Sequence, residues 1–248
     1  MNYTSDPLKL GMSGRAVSYL QRRLNVSMSG EFDVETETVL KRAQLATGNQ
    51  ADGVYGPMTN AALTMVQTST LPAVAQTVAI DVGALHALLL VETVGRGFYT
   101  NGLPKILLER HYVYKLATAH ERSLLPETVC NATPGGYQGG LAEWSRFDTV
   151  AAVDVNLAIQ SCSWGIAQIM GIQCQRFNMS PMAFLLEQVT NEDTQIALLG
   201  RYITANAALR QALQQHDWAE VARLYNGADY AENHYDTKLA TAYASFQG

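Results

Sequence analysis

Apolar residues recur at helical spacing early in the chain. Val17, Leu20 and Leu24 follow a turn that carries Gly11 and Gly14. A second pattern then occurs twice. Gly30-x-Phe32 followed by Thr36 and Val39-Leu40 aligns with Gly53-x-Tyr55 followed by Thr59 and Ala62-Leu63. Each copy reads as a tight turn that opens a helix. Asp33 is a suitable N-cap for the first, with Glu35 and Glu37 in its first turn. Gly56-Pro57 starts the second, because proline fits the first helical position. The expected product is a compact three-helix unit within residues 1–70.

Residues 67–78 carry no charge, are rich in Thr and contain Pro72. They read as an uncharged connection, with residues 71–78 as linker and residues 79–248 as a second domain. That second part is mainly helical by its periodicity. Helices are expected near 80–94, 111–122, 148–159, 163–173, 181–188, 191–214, 217–226 and 235–246. Asn101-Gly102 predicts one short hairpin, and Ile106-Leu107-Leu108 a buried strand. The run from Pro134 to Gly140 is a glycine-rich loop of the kind that borders sites. The fold class is therefore mainly α: a small helical domain, then a larger helical domain with a short β-hairpin.

Composition adds limits. Hydrophobic residues make up 48% and charged residues 16%, which suits a packed core and little disorder. The net charge is −5, and residues 1–70 are neutral, so no basic face for nucleic acid is expected. The apolar stretch Leu85–Val91 is too short to span a bilayer, so no membrane insertion is expected. The N-terminus lacks a basic start followed by an apolar run, so no secretory signal is expected. Cys130, Cys162 and Cys174 are odd in number and lack metal-knuckle spacing, and they read as reduced, packed thiols.

Glu92 is the first candidate for chemistry. It ends the apolar run Leu88-Leu89-Leu90-Val91 and precedes the glycine-rich exit Gly95-Arg96-Gly97. An apolar setting raises a carboxyl pKa and fits it to donate a proton near neutrality. The bland reading is a helix-end side chain that reaches water. Gln168 is the only polar side chain in the apolar run Gly165–Met170, and Tyr225-Asn226 ends the helix from Trp218. Taken singly, each of these could be structural.

Together they resemble known proteins. Leu8-Lys9-Leu10-Gly11, Gly14, Leu20-Gln21, Gln44 and Asp52-Gly53-Val54-Tyr55-Gly56-Pro57 with Thr59 resemble the peptidoglycan-binding domain of wall hydrolases. Arg42-Ala43 departs from that family, which has an aromatic before the Gln. Glu92, the Gly165–Met170 run and Ala222-x-x-Tyr225-Asn226 resemble the lysozyme-like superfamily of goose-type lysozymes and lytic transglycosylases. Val91-Glu92 through Phe98, Pro104 through His111, and Ser163-Trp164-Gly165 are more closely similar to the N-acetylmuramidase domain of phage endolysins.

The resemblance implies an endolysin that cleaves the bond between N-acetylmuramic acid and N-acetylglucosamine and so lyses bacteria. Glu92 would be the general acid. Gln168 and Tyr225 would line the cleft, and Asn226 would shape its wall. Glu109 is either the second carboxylate or a partner that positions Arg110 or His111. The implied partner is bacterial peptidoglycan, with no cofactor, no metal, and a monomeric chain. The protein would be made in the host cytoplasm and reach the wall through a membrane lesion.

Other readings compete. A zinc peptidase needs paired His ligands, and none of His86, His111, His120, His216 and His234 forms such a pair. A cysteine amidase would need Cys162 as nucleophile. A non-catalytic wall binder would not need Glu92 and its companions. A lytic transglycosylase would use the same Glu92 and leave anhydromuramic ends.

Overall fold

The fold is that of a computed structural model, which describes residues 5–93 and 95–247. The first unit contains α1 (Arg15–Arg23), α2 (Val34–Ala46) and α3 (Pro57–Thr64). Asp33 caps α2 as expected, accepting from the Thr36 amide at 2.8 Å, and Pro57 opens α3. The internal repeat has a physical basis in two buried glutamines. Gln21 accepts from Gly30 N and donates to Glu31 O and Thr36 Oγ1. Gln44 does the same with Gly53 N, Val54 O and Thr59 Oγ1. Each amide satisfies the donors and acceptors of one turn, which a buried turn requires. Phe32 and Tyr55 then fill the small core with Leu8, Val17, Leu20 and Leu40.

Thr70–Val78 corrects the expected linker: it is a helix, α4. Leu71, Val74, Ala75 and Val78 form a stripe at helical spacing, and Ala75 and Val78 enter the larger core. Pro72 sits in the first turn, where its missing N–H costs nothing. Asp193 ties the segment down, accepting from Gln67 N and Thr70 Oγ1.

The larger unit is built on α5 (Val82–Thr93), whose Ala84, Leu85, Ala87, Leu88 and Leu89 are buried. Strand β1 (Ile106–Leu108) follows, then α6 (Arg110–Leu116), α7 (Ala119–Leu124), α8 (Ala142–Ala151) and α9 (Val155–Gln160). Two expected helices are each split by a cap. Thr118 and Glu121 form a capping box for α7, and Asp154 caps α9.

The helix expected over 163–173 is not there. Strands β2 (Cys162–Trp164) and β3 (Ile169–Met170) replace it, followed by a 3-10 helix, Gly171–Phe177. The three strands form one antiparallel sheet in the order β1-β2-β3, with Leu107 opposite Ser163 and Ser163 opposite Met170. Gly165 turns the chain at φ +69°, and Gln168 also lies in the left-handed region, at φ +48°. Two left-handed residues in four cannot continue a helix. A Cβ on Gly165 would meet Gln188 Oε1 at 2.5 Å, so the close approach excludes other residues there as well.

The chain ends with α10 (Pro181–Thr190), α11 (Glu192–Ala205), α12 (Ala207–Gln215), α13 (Trp218–Asn226) and α14 (Tyr235–Gln247). Asn206 caps α12 and breaks the single helix expected over 191–214. Helices α4 and α14 flank α5, and Trp164 meets Trp144 and Phe147 edge-on in the buried core.

The small unit is docked on the large one. Arg15 pairs with Asp148 at 2.7 Å and lies over the Phe147 ring, while Tyr19 packs against Trp144. Arg23 donates to Thr190 O, Tyr55 Oη and Gly102 O, with its guanidinium 4.5 Å from the Phe98 ring centre. The Asn101-Gly102 turn is thus both the expected reversal and the seat of this contact. A Cβ on Gly102 would meet Tyr55 Cε1 at 2.6 Å.

Candidate active site

Glu92 lies at the last turn of α5, where the buried face of that helix ends. Its side chain is half-buried, and burial raises its carboxyl from 4.5 to about 7. The opposing influence is a hydrogen bond from Asn226 Nδ2 to Glu92 Oε1 at 2.8 Å. Burial first, and then the charge of Glu92, raise the hydroxyls of Tyr225 and Tyr235, so both rings lie within electrostatic reach of the carboxyl.

Asn226 is the last residue of α13, and Tyr225 precedes it. The Tyr225 hydroxyl donates to Ala167 O at 2.6 Å, in the β2–β3 turn. Gln168 is the next residue of that turn. Its amide donates to Gly165 O at 2.9 Å and its carbonyl accepts from Ser163 Oγ at 2.8 Å. These bonds hold a backbone conformation that is otherwise strained by about 1–2 kcal/mol. Gln168 and Tyr225 also share a cavity of about 50 Å³ with Tyr202 and Gln173. Glu92, Gln168, Tyr225 and Asn226 therefore converge, although they come from three distant parts of the chain.

Glu109 makes no hydrogen bond to any of these four. Its carboxylate accepts from Tyr137 Oη at 2.8 Å and lies 3.3 Å from His111 Nδ1. Tyr137 is exposed on the expected glycine-rich loop, where Gly135, Gly136, Gly139 and Gly140 all have positive φ. Cys162 is fully buried and its thiol is pushed well above the usual range, unlike a nucleophile. Among the described residues, no group of three or more His, Cys, Asp or Glu side chains is placed to hold a metal ion.

The description "N-acetylmuramidase" matches residues 81–247, two thirds of the chain. The chain belongs to the N-acetylmuramidase family. A putative peptidoglycan binding domain matches residues 13–63. The comparison with curated proteins gives no match. Among solved structures, the chain is similar to the crystal structure of Burkholderia AP3 phage endolysin, at 32% identity and a TM-score of 0.67. The match covers 98% of this chain and 99% of that one. The chain is thus a peptidoglycan-degrading muramidase of endolysin architecture, with its wall-binding domain first.

Several polar residues that brace the candidate site lie outside the sequence motifs. Glu143 is fully buried and pairs with Arg146 at 2.6 Å. It accepts from Leu108 N, beside Glu109, and from Gln138 N and Gly139 N in the glycine-rich loop. One carboxylate thereby joins the end of β1 to the loop that carries Tyr137. The signal was present: Glu143 and Arg146 fall on the same helical stripe as Phe147 and Val150. A charged pair on a buried stripe implies a polar network.

A second set fixes the exit from α5. Glu192 accepts from Gly97 N at 2.7 Å, and Gln195 accepts from Ile166 N at 2.8 Å. Burial pushes the Glu192 carboxyl up, opposed by Gly97 N, Arg96 and Lys105. Thr93 donates to Ile166 O at 2.8 Å, and Lys105 donates to Thr93 O at 3.0 Å. The residue after Glu92 is therefore bound both to the β2–β3 turn and to the approach to β1. No sequence motif announces these partners, because the bonds span from 12 to 95 residues.

Proposed function

We propose that the protein is an endolysin whose Glu92 protonates the glycosidic oxygen between N-acetylmuramic acid and N-acetylglucosamine, with water completing the cleavage. One observation carries this reading: Glu92 is a carboxyl raised to about 7 by burial, at the end of the core helix. Such a group still holds its proton near neutral pH and can give it to a leaving oxygen. Asn226 keeps the carboxyl oriented through Oε1. Tyr225 holds the turn that carries Gln168, so these two act by shaping the wall that faces the sugar. Glu109 acts with Tyr137 and His111 on the loop side of the cleft, as second carboxylate or as holder of the Tyr137 loop. Residues 1–70 retain the enzyme on the wall, and release of the cytoplasmic protein through a membrane lesion brings it there.

The test is Glu92→Gln beside Glu109→Gln on purified peptidoglycan. Glu92→Gln should fold and bind wall, yet lose at least two orders of magnitude in rate, a usual worth of general acid catalysis. Mass spectrometry of the wild-type products should find reducing muramic ends. Products lighter by one water would mean transglycosylation. Wild-type turnover by Glu92→Gln would remove Glu92 from the chemistry.

A further inference from the structure

A cavity of about 470 Å³ lies between the end of α5 and α14. Its volume falls within the roughly 300–1,000 Å³ typical of small-ligand sites. Leu90, Val91 and Ala242 give it apolar walls, and Thr241, His234 and Lys238 give it polar ones. Val91 directly precedes Glu92, so the cavity wall and the acid share the last turn of α5, although Glu92 itself does not line the cavity. Lys238 lies on the same helix as Tyr235, with its ammonium 5.4 Å from the Tyr235 ring centre. Tyr235 is one of the two rings within reach of Glu92.

The charge here runs against the rest of the molecule. The chain carries −5 overall, yet none of the residues lining this cavity has a carboxylate. Lys238 is exposed and pairs with no carboxylate among the described residues. An ammonium with no carboxylate partner beside small apolar walls suits a ligand with a carboxylate and small aliphatic side chains. Peptidoglycan carries such a group next to the bond that is cut, namely the short peptide on the lactyl arm of muramic acid.

We propose that this cavity is a subsite for the muramic acid peptide: Lys238 meets a peptide carboxylate, and Leu90, Val91 and Ala242 meet its small side chains. The proposal rests on Glu92 as the acid, since that is what places the muramic ring beside the cavity. It predicts that the enzyme discriminates between peptide-bearing and naked glycan, a property that an acid and a sugar cleft alone do not supply.

Two substrates test this: soluble peptide-bearing glycan strands, and the same strands stripped of their peptides by an amidase. Lys238→Gln should raise KM about tenfold on peptide-bearing strands, the worth of one charge-assisted hydrogen bond, with kcat little changed. On stripped strands it should match wild type. Lys238→Arg should recover most of the difference. Thr241→Trp, which fills the cavity from an exposed position, should reproduce the selective loss. An equal loss on both substrates, or none on either, would overturn the subsite. Glu92→Gln on both substrates keeps the two readings apart. If it stays active, the acid assignment falls, while the Lys238→Gln ratio still reports on the peptide.

Discussion

Glu92→Gln has a consequence for stability as well as turnover. The folded carboxyl titrates at about 7, against 4.5 for an ordinary glutamate. Below 4.5 the group is protonated in both folded and unfolded chains, and its ionisation costs the fold nothing. As the pH rises from 4.5 through about 7, the unfolded chain ionises first, so the folded state loses stability. Above about 7 the penalty is complete: 2.5 pH units at about 1.36 kcal/mol each, or about 3 kcal/mol as an upper bound. Glutamine cannot ionise, and its carbonyl can still accept from Asn226 Nδ2. For a chain of this size each 1 kcal/mol moves Tm by roughly 2–4 °C. The variant should therefore melt above wild type near pH 8, by at most roughly 6–12 °C, and together with it near pH 4. Calorimetry at the two pH values reads this directly. A difference that is the same at both pH values would mean a packing effect. A variant less stable near pH 8 would mean that Glu92 is not held against its ionisation, and the argument for a proton donor would fail with it.

Two further outcomes follow from other contacts. Asn226→Ala removes the hydrogen bond that favours ionised Glu92, so the alkaline limb of the pH–rate profile, set by loss of the acid's proton, should move up by roughly half to one pH unit. A limb that moves down would contradict the geometry. Arg23→Gln removes the donor to Thr190 O and Gly102 O and the charge over Phe98, which should cost about 2–3 kcal/mol and roughly 4–12 °C in Tm. Wall binding by the full chain should persist, and a Tm change under about 1 °C would mean that the docked face adds nothing to the fold.

Local patterns in the sequence carried much of this protein. The doubled Gly-aromatic-Thr turn, the Asp33 cap, the Pro57 helix start and the apolar run ending at Glu92 each depend on residues close together in the chain. Local geometry and caps decide such elements, so they are legible without a fold. Motif resemblance extended this to Gln168, Tyr225 and Asn226, which do converge with Glu92. Tertiary structure decided the rest. Residues 163–173 have enough apolar spacing for a helix, but pairing of Ser163 with Leu107 and the left-handed Gly165 and Gln168 make them a hairpin. Residues 71–78 read as a linker because they are uncharged, yet they belong to α4 because Val74, Ala75 and Val78 find a buried surface and Asp193 binds the Thr70 hydroxyl at the helix start. Glu143 and Arg146 left a trace as charges on an apolar helical stripe, but the partners Glu192 finds in Gly97 and Gln195 finds in Ile166 lie tens of residues away, and hydrogen bonds of that span leave no local period to read. The acidity of Glu92 belongs to the same class: the sequence places a carboxyl at the end of an apolar helix, but only the burial that the whole fold creates, which outweighs the hydrogen bond from Asn226, keeps its proton on.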